Sequence, residues 1–123
     1  MTVYERTGSI VGSTEYYVLL TNGDQVKEAC DWPAAPTREQ IKALVEKVLR
    51  GYAEHIVVWH QNASRSMFVD MDAVAKRLPI NKIATTVYRA WTIQQYPEVK
   101  PVSLGVIRGP ALLFGSQVMT GEL

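Results

Sequence analysis

Residues 37–60, TREQIKALVEKVLRGYAEHIVVWH, decide the fold class, because they change hydrophobic period halfway along. Ile41, Leu44, Val45, Val48, Leu49 and Tyr52 recur at helical spacing and draw one apolar stripe. Arg38, Glu39, Lys42, Glu46, Lys47 and Arg50 fill the opposite side, and Glu46 stands four residues before Arg50, the favourable order for a helical ion pair. Thr37 and Gln40 form a T-x-x-Q capping box at the start, and Gly51 stands near the end. The run His55-Ile-Val-Val-Trp-His60 then reads as a strand apolar on both faces, which implies a central position in a sheet. A greasy helix face followed at once by a strand describes a helix lying on a β-layer.

Working outward, residues 15–29, EYYVLLTNGDQVKEA, carry two β-branched and aromatic stretches around Asn22-Gly23, a pair suited to a two-residue hairpin turn. The prolines of DWPAAP (31–36) then break regular structure. Beyond the deciding stretch, QNASRS (61–66) reads as a turn and MFVDM (67–71) as the returning strand. Asp70 or Asp72 is suited to cap a short turn over 73–78, and Pro79 pushes Leu78 out of helical geometry. Asn81 is an N-cap residue for a second helix near 81–96, with Ala84, Val87, Tyr88 and Trp91 on one face and Pro97 ending it. Residues 101–118, PVSLGVIRGPALLFGSQV, read as strand, turn at Arg108-Gly109-Pro110, strand. The opening dozen residues form a short strand or an arm. The expectation is a single α+β domain over 1–123, with 1–14 as an N-terminal arm. An antiparallel sheet of four to six strands carries the amphipathic helix 37–52 on one face, beside a second, shorter helix.

Bulk numbers narrow the function. The 123 residues suit one core, and 47% hydrophobic with 20% charged residues is too apolar for disorder. No apolar run approaches the roughly 18–20 residues that cross a bilayer, and MTVYERTGSIVGSTEYY has no basic start followed by an apolar block. Cys30 is the single cysteine and excludes an internal disulfide, which suits a cytoplasmic protein. Net charge is +1, neither the acidity of a phosphate-backbone mimic nor the basicity of a non-specific nucleic-acid binder. Residues 1–64 hold six basic and eight acidic side chains, and residues 65–123 hold seven and four.

Residues 67–91, MFVDMDAVAKRLPINKIATTVYRAW, have the sound of a helix-turn-helix. With the turn registered on Pro79, the position that needs an apolar residue is Thr85. Val87 comes two residues too late, and two residues rotate a helix by about 200°. Proline also stands where positive φ is common and cannot adopt it. A DNA-reading head is not expected.

Three motifs in order carry a resemblance: Gly51, Tyr52 and Glu54; then Leu78, Pro79 and Asn81 with Ala84 and Thr85; then Gly109, Ala111 and Phe114. Together with the Asn22-Gly23 hairpin, they resemble a family of small uncharacterised proteins of bacteriophage and mobile elements. That family shares Gly-Tyr-x-Glu, Leu-Pro-x-Asn and Gly-x-Ala motifs along a helix-and-strand order, here spanning about residues 16–118. The resemblance implies architecture and no established activity. The stretch 92–103 and the N-terminal arm depart from the pattern. On residue chemistry alone, Gly51-Tyr52 would let the chain leave the helix while the ring closes one end of the core.

His55 and His60, five apart on one strand, point to opposite faces and cannot share a metal. His55 near the helix end suits a capping donor, and His60 a solvated strand end. Asp70 and Asp72 invite an acid/base or Mg²⁺ reading but have no third ligand at recognisable spacing, so capping is their expected role. Cys30 lies near Glu28 and Asp31, which raise a thiol pKa. No nucleophile elbow and no phosphate-cradling glycine loop occurs, and the sequon Asn62-Ala63-Ser64 falls in a turn. No cofactor or metal is expected. The candidate binding residues are Arg77, Asn81, Lys82 and Arg89, a small basic strip in which Lys82 and Arg89 are seven apart on the second helix and share a face. The function expected is that of a non-enzymatic accessory protein of phage or mobile-element type that binds an unknown macromolecule, with a homodimer built by edge-strand pairing. The alternatives are sequence-independent nucleic-acid binding through the basic strip and, behind it, a small-molecule enzyme. No membrane association is expected.

Overall fold

The computed structural model describes residues 3–5, 14–32, 36–100 and 103–123. They form an α+β fold in the order β1 (Val3–Glu5), β2 (Thr14–Leu19), β3 (Gln25–Cys30), α1 (Arg38–Leu49), β4 (Ala53–His60), β5 (Ala63–Asp70), α2 (Lys82–Gln95), β6 (Ala111–Phe114). The strands make one sheet in the order β1-β3-β2-β6-β5-β4, antiparallel throughout except that β1 runs parallel to β3. Of the opening residues, Val3–Glu5 thus add a strand, and the rest of the expected arm before Thr14 lies outside the described residues.

Alternation sorts the strand residues onto two faces. Tyr16, Val18, Phe68, Leu112 and Phe114 turn to one side and bury Ile41, Val45 and Leu49 of α1. Leu19, Met67, Val69, Ala111 and Leu113 turn to the other and bury Ala84 and Val87 of α2. The domain is therefore three layers, with one helix on each face. Burying each of the α1 anchors contributes about 1.5–3 kcal/mol.

α1 starts as its sequence dictates. The Gln40 amide donates to Thr37 Oγ1 and the Thr37 amide to Gln40 Oε1, closing the capping box. Its end differs. Arg50, not Gly51, takes the left-handed conformation at φ 57°, so its side chain leaves the helical row and Glu46 pairs with Lys42 at 3.6 Å instead. Tyr52 does not close the core, being 65% exposed. α2 is bounded as expected, with Asn81 as N-cap and Tyr96 as C-cap, but its 14 residues make it the longer helix, against 12 in α1.

The two-residue turn falls in the second hairpin and not at Asn22-Gly23, and the turn expected over 61–66 is shorter than that, since β5 already begins at Ala63. Gln61 and Asn62, both at positive φ, join His60 to Ala63 in a two-residue turn. Around Asn22-Gly23 only Gly23 is left-handed, at φ 96°, and the pairing closes at Leu19 and Gln25. Asn22 Oδ1 accepts the Asp24 amide there, and that local bond holds the longer loop.

β4 is the outermost strand, a correction to the central position expected of it. Its two-sided apolar sequence arises because α1 and α2 cover opposite faces at this end of the sheet. The segment before Gly109 is a second correction. Only Arg108 bridges, to Ile80, and 105–107 form no strand, because the Ile107 backbone is bonded to Asn81 and Thr85. Residues 71–77 are successive turns rather than a first reading-head helix, and Val87 is buried against the sheet.

Candidate functional site

The structure separates the four expected binding residues. Asn81 is fully buried and serves as a junction. Its Nδ2 donates to the carbonyls of Leu19 (2.8 Å) and Gly109 (2.9 Å), its Oδ1 accepts the Ala84 amide, and its own amide donates to Ile107 O. A side chain used at every polar atom inside the core is not a surface contact, which corrects its assignment to a binding strip. Gly109, at φ 79°, belongs to the same junction, where an added Cβ would lie 2.6 Å from Leu78 Cδ1. Arg89 is withdrawn as well. Its Nε and Nη2 donate to the carbonyls of Gly105 (3.3 Å) and Leu104 (3.1 Å), binding the irregular segment to α2. Arg77 occupies an exposed left-handed turn position at φ 56°. Lys82 alone lines a cavity.

The acidic pair resolves into a cap. Asp70, buried at the end of β5, accepts the Asp72 amide on Oδ1 and Lys76 Nζ on Oδ2 at 2.8 Å. Lys76 Nζ also donates to Arg50 O, the last carbonyl before the α1 exit. Among the described residues, no three His, Cys, Asp or Glu side chains gather as metal ligands.

The histidines face opposite sides, as alternation requires. His55 is not a helix cap. It stacks on Phe68 with ring centroids 4.9 Å apart and holds the segment after β6. Its Nδ1 lies 2.7 Å from Gly121 O and its Nε2 lies 2.8 Å from Ser66 Oγ. A carbonyl only accepts, so Nδ1 carries a proton and donates to Gly121 O, while Nε2 is bonded to the Ser66 hydroxyl, whose oxygen accepts the Val118 amide. Arg38 adds donations to the carbonyls of Thr120 and Glu122.

His60 is half-buried rather than solvated, and it borders a cleft of about 540 Å³ between α2 and the sheet. Burial first, and the Arg65 guanidinium second, hold its pKa below the ordinary value. The cleft floor is Tyr17 and Leu19 of β2 with Leu113 of β6, and its wall is Ile83 and Val87 of α2. Arg65, Lys82 and His60 stand at its margin, and none of its described lining residues is acidic. Arg65 is oriented by donation from Nε to His60 O at 2.9 Å, and among the described residues neither Arg65 nor Lys82 makes an ion pair. No single local motif marks this site, since its residues come from five strands, a turn and a helix.

Cys30 shifts in the expected direction, but burial leads and Asp31 takes no part. Burial, then Glu28, push the thiol above its ordinary value, with the Tyr16 hydroxyl bond opposing. Tyr16 itself donates to Glu28 Oε2 at 2.6 Å, and burial and that carboxylate push the phenol far upward.

No family model matches the chain, and neither a curated protein nor a solved structure matches it.

Proposed function

We propose that this is a non-enzymatic accessory protein of phage or mobile-element type that binds a partner protein by strand addition to β4. The observation that carries the reading is the placement of an eight-residue strand at the outside of the sheet. With His60 and Ala63 closing a two-residue turn, the antiparallel register directs the amides of His55, Val57 and Trp59 away from β5. Such an edge is a template for a further strand. Trp59, 46% exposed, lies along it, and exposed Tyr52 and Met71 stand beyond its start. The phage or mobile-element assignment draws on the order of the three motifs, and two of them now have physical roles in the Asn81–Gly109 junction. Asp70, which invited an acid/base reading, and His55, weighed as a metal ligand, are both engaged in holding the fold. A homodimer through paired β4 edges is one form of the same activity.

Val57→Pro removes an outward amide and spares the ladder to β5. Capture from infected cells on immobilised wild-type protein is expected to retain a partner that the Val57→Pro protein loses. Equal retention by the two overturns the reading. Sedimentation of the purified proteins assigns the partner: a dimer present only in the wild type identifies it as a second copy.

A further inference from the structure

The cleft beside α2 is a different feature from the β4 edge and does not depend on it. Its volume, about 540 Å³, falls within the roughly 300–1,000 Å³ typical of small-molecule sites. Such sites join an apolar lining to a few fixed polar groups, and this one has an apolar floor with cations along one margin. It exists because α2 covers only part of this face of the sheet. Ile83 and Val87 stand over Leu19 and Leu113, while the part of the face running to Arg65 and His60 has no helix above it.

We infer that this cleft binds a small amphipathic anion, an apolar body carrying one carboxylate or phosphate group, with Arg65 and Lys82 holding the charge. Arg65 is preset for that task. Nε is anchored on the His60 carbonyl, and its bond from Nη2 to Gln61 Oε1 is long at 3.5 Å, which leaves the outer edge of the guanidinium for a ligand oxygen. Lys82 sits in the first turn of α2, where the helix dipole adds to the attraction for a negative group. The nearest acidic side chain on the same face of β2, Glu15, is paired with Lys27 at 3.5 Å. Tyr17 and Leu113 receive the apolar body. Low charge overall does not oppose this, because the local field comes from cations with no acid among the described lining residues.

The test is titration of the full-length protein with decanoate, decyl phosphate, decan-1-ol and inorganic phosphate, followed by calorimetry and by chemical-shift changes. Saturable binding of decanoate or decyl phosphate is expected, with shifts centred on Tyr17, Ile83 and Leu113. The preferred head group is read from which of the two binds tighter. The double variant Arg65→Gln/Lys82→Gln should weaken binding about tenfold. Decan-1-ol and inorganic phosphate should each bind at least about tenfold more weakly than the better amphiphile. Thr86→Trp, at an exposed α2 position on the cleft margin, should abolish binding while leaving both cations and the fold in place. The inference is overturned if neither amphiphile saturates, if decan-1-ol or inorganic phosphate binds as well as the amphiphiles, if the double variant keeps full affinity, or if the shifts centre elsewhere.

Discussion

The two faces of the sheet are covered by different means. On the α1 face, the helix shares its cover with the segment after β6. Val118, Met119 and Leu123 pack against the core there, and Ser66, His55 and Arg38 take up that segment's backbone groups. On the α2 face the helix is fixed at its first turn by Asn81 and Thr85 and is joined by Ile107 of the segment before β6, and the cover stops short of the cleft. The α1 face is closed, and its polar side chains are spent on the chain itself. The α2 face spends Asn81, Thr85 and Arg89 in the same way yet stays open beside the helix, where Arg65 and Lys82 are free of ion pairs with the described residues. The lesson is that the faces differ less in how their covers are anchored than in the cations the open one leaves over.

The most damaging way to break that contrast is Asn81→Leu. It leaves the Leu19 and Gly109 carbonyls without their donor and removes the α2 cap, and a loss of about 3–5 kcal/mol is expected in urea unfolding. On the closed face, Ser66→Ala unpairs the Val118 amide and His55 Nε2 together. It is expected to cost about 1–3 kcal/mol, with faster hydrogen exchange concentrated at 116–121. Thr37→Ala, which opens the α1 capping box, should cost about 1 kcal/mol in the same unfolding experiment. Thr86→Trp on the cleft margin should stay within about 0.5 kcal/mol of wild type; a cost equal to that of Ser66→Ala would show that the open face is packed like the closed one. The smallest effect concerns pH. His60 is held below the ordinary histidine value of 6.5, so the unfolded chain binds its proton first as pH falls. Stability is therefore complete above pH 6.5 and declines below it, and His60→Gln should flatten that part of the urea-midpoint profile against pH.

What could be read beforehand was local. Thr37 with Gln40 and Asn81 marked helix starts through bonds that span three residues, Pro97 marked an end by lacking an N–H, and alternation separated His55 from His60. Period placed Ile41, Val45 and Leu49 in the core, although it also enrolled the exposed Tyr52, and it did not show that the second helix makes a core on the opposite face. Sheet order escaped the same reasoning because β4 looks central to anyone counting apolar residues on its two faces. Only the presence of a helix on each side explains an outer strand of that composition. The segment before Gly109 looked like a strand for a similar reason: apolar content does not reveal that its backbone groups are consumed by Thr85 and Asn81. Arg89 and Lys82 were correctly placed on one helix, but helical spacing says nothing about where a long side chain turns. The cleft was invisible because Tyr17, Arg65, Lys82 and Leu113 meet only after the sheet has formed.

That sheet has an unusual seam. β6 lies between β2 and β5 and joins the two hairpins through one short strand, whose residues Ala111–Phe114 pair with Leu19 back to Tyr16 on one side and, over Ala111–Leu113, with Val69 back to Met67 on the other. A ribosome making this protein therefore releases both hairpins long before the residues that join them. Until 111–114 emerge, two half-layers expose raw inner edges, β2 on one and β5 on the other, each able to recruit a stranger. Closure must wait for a late, distant contact, which makes assembly slow relative to the helices and gives holdase chaperones their natural moment of engagement.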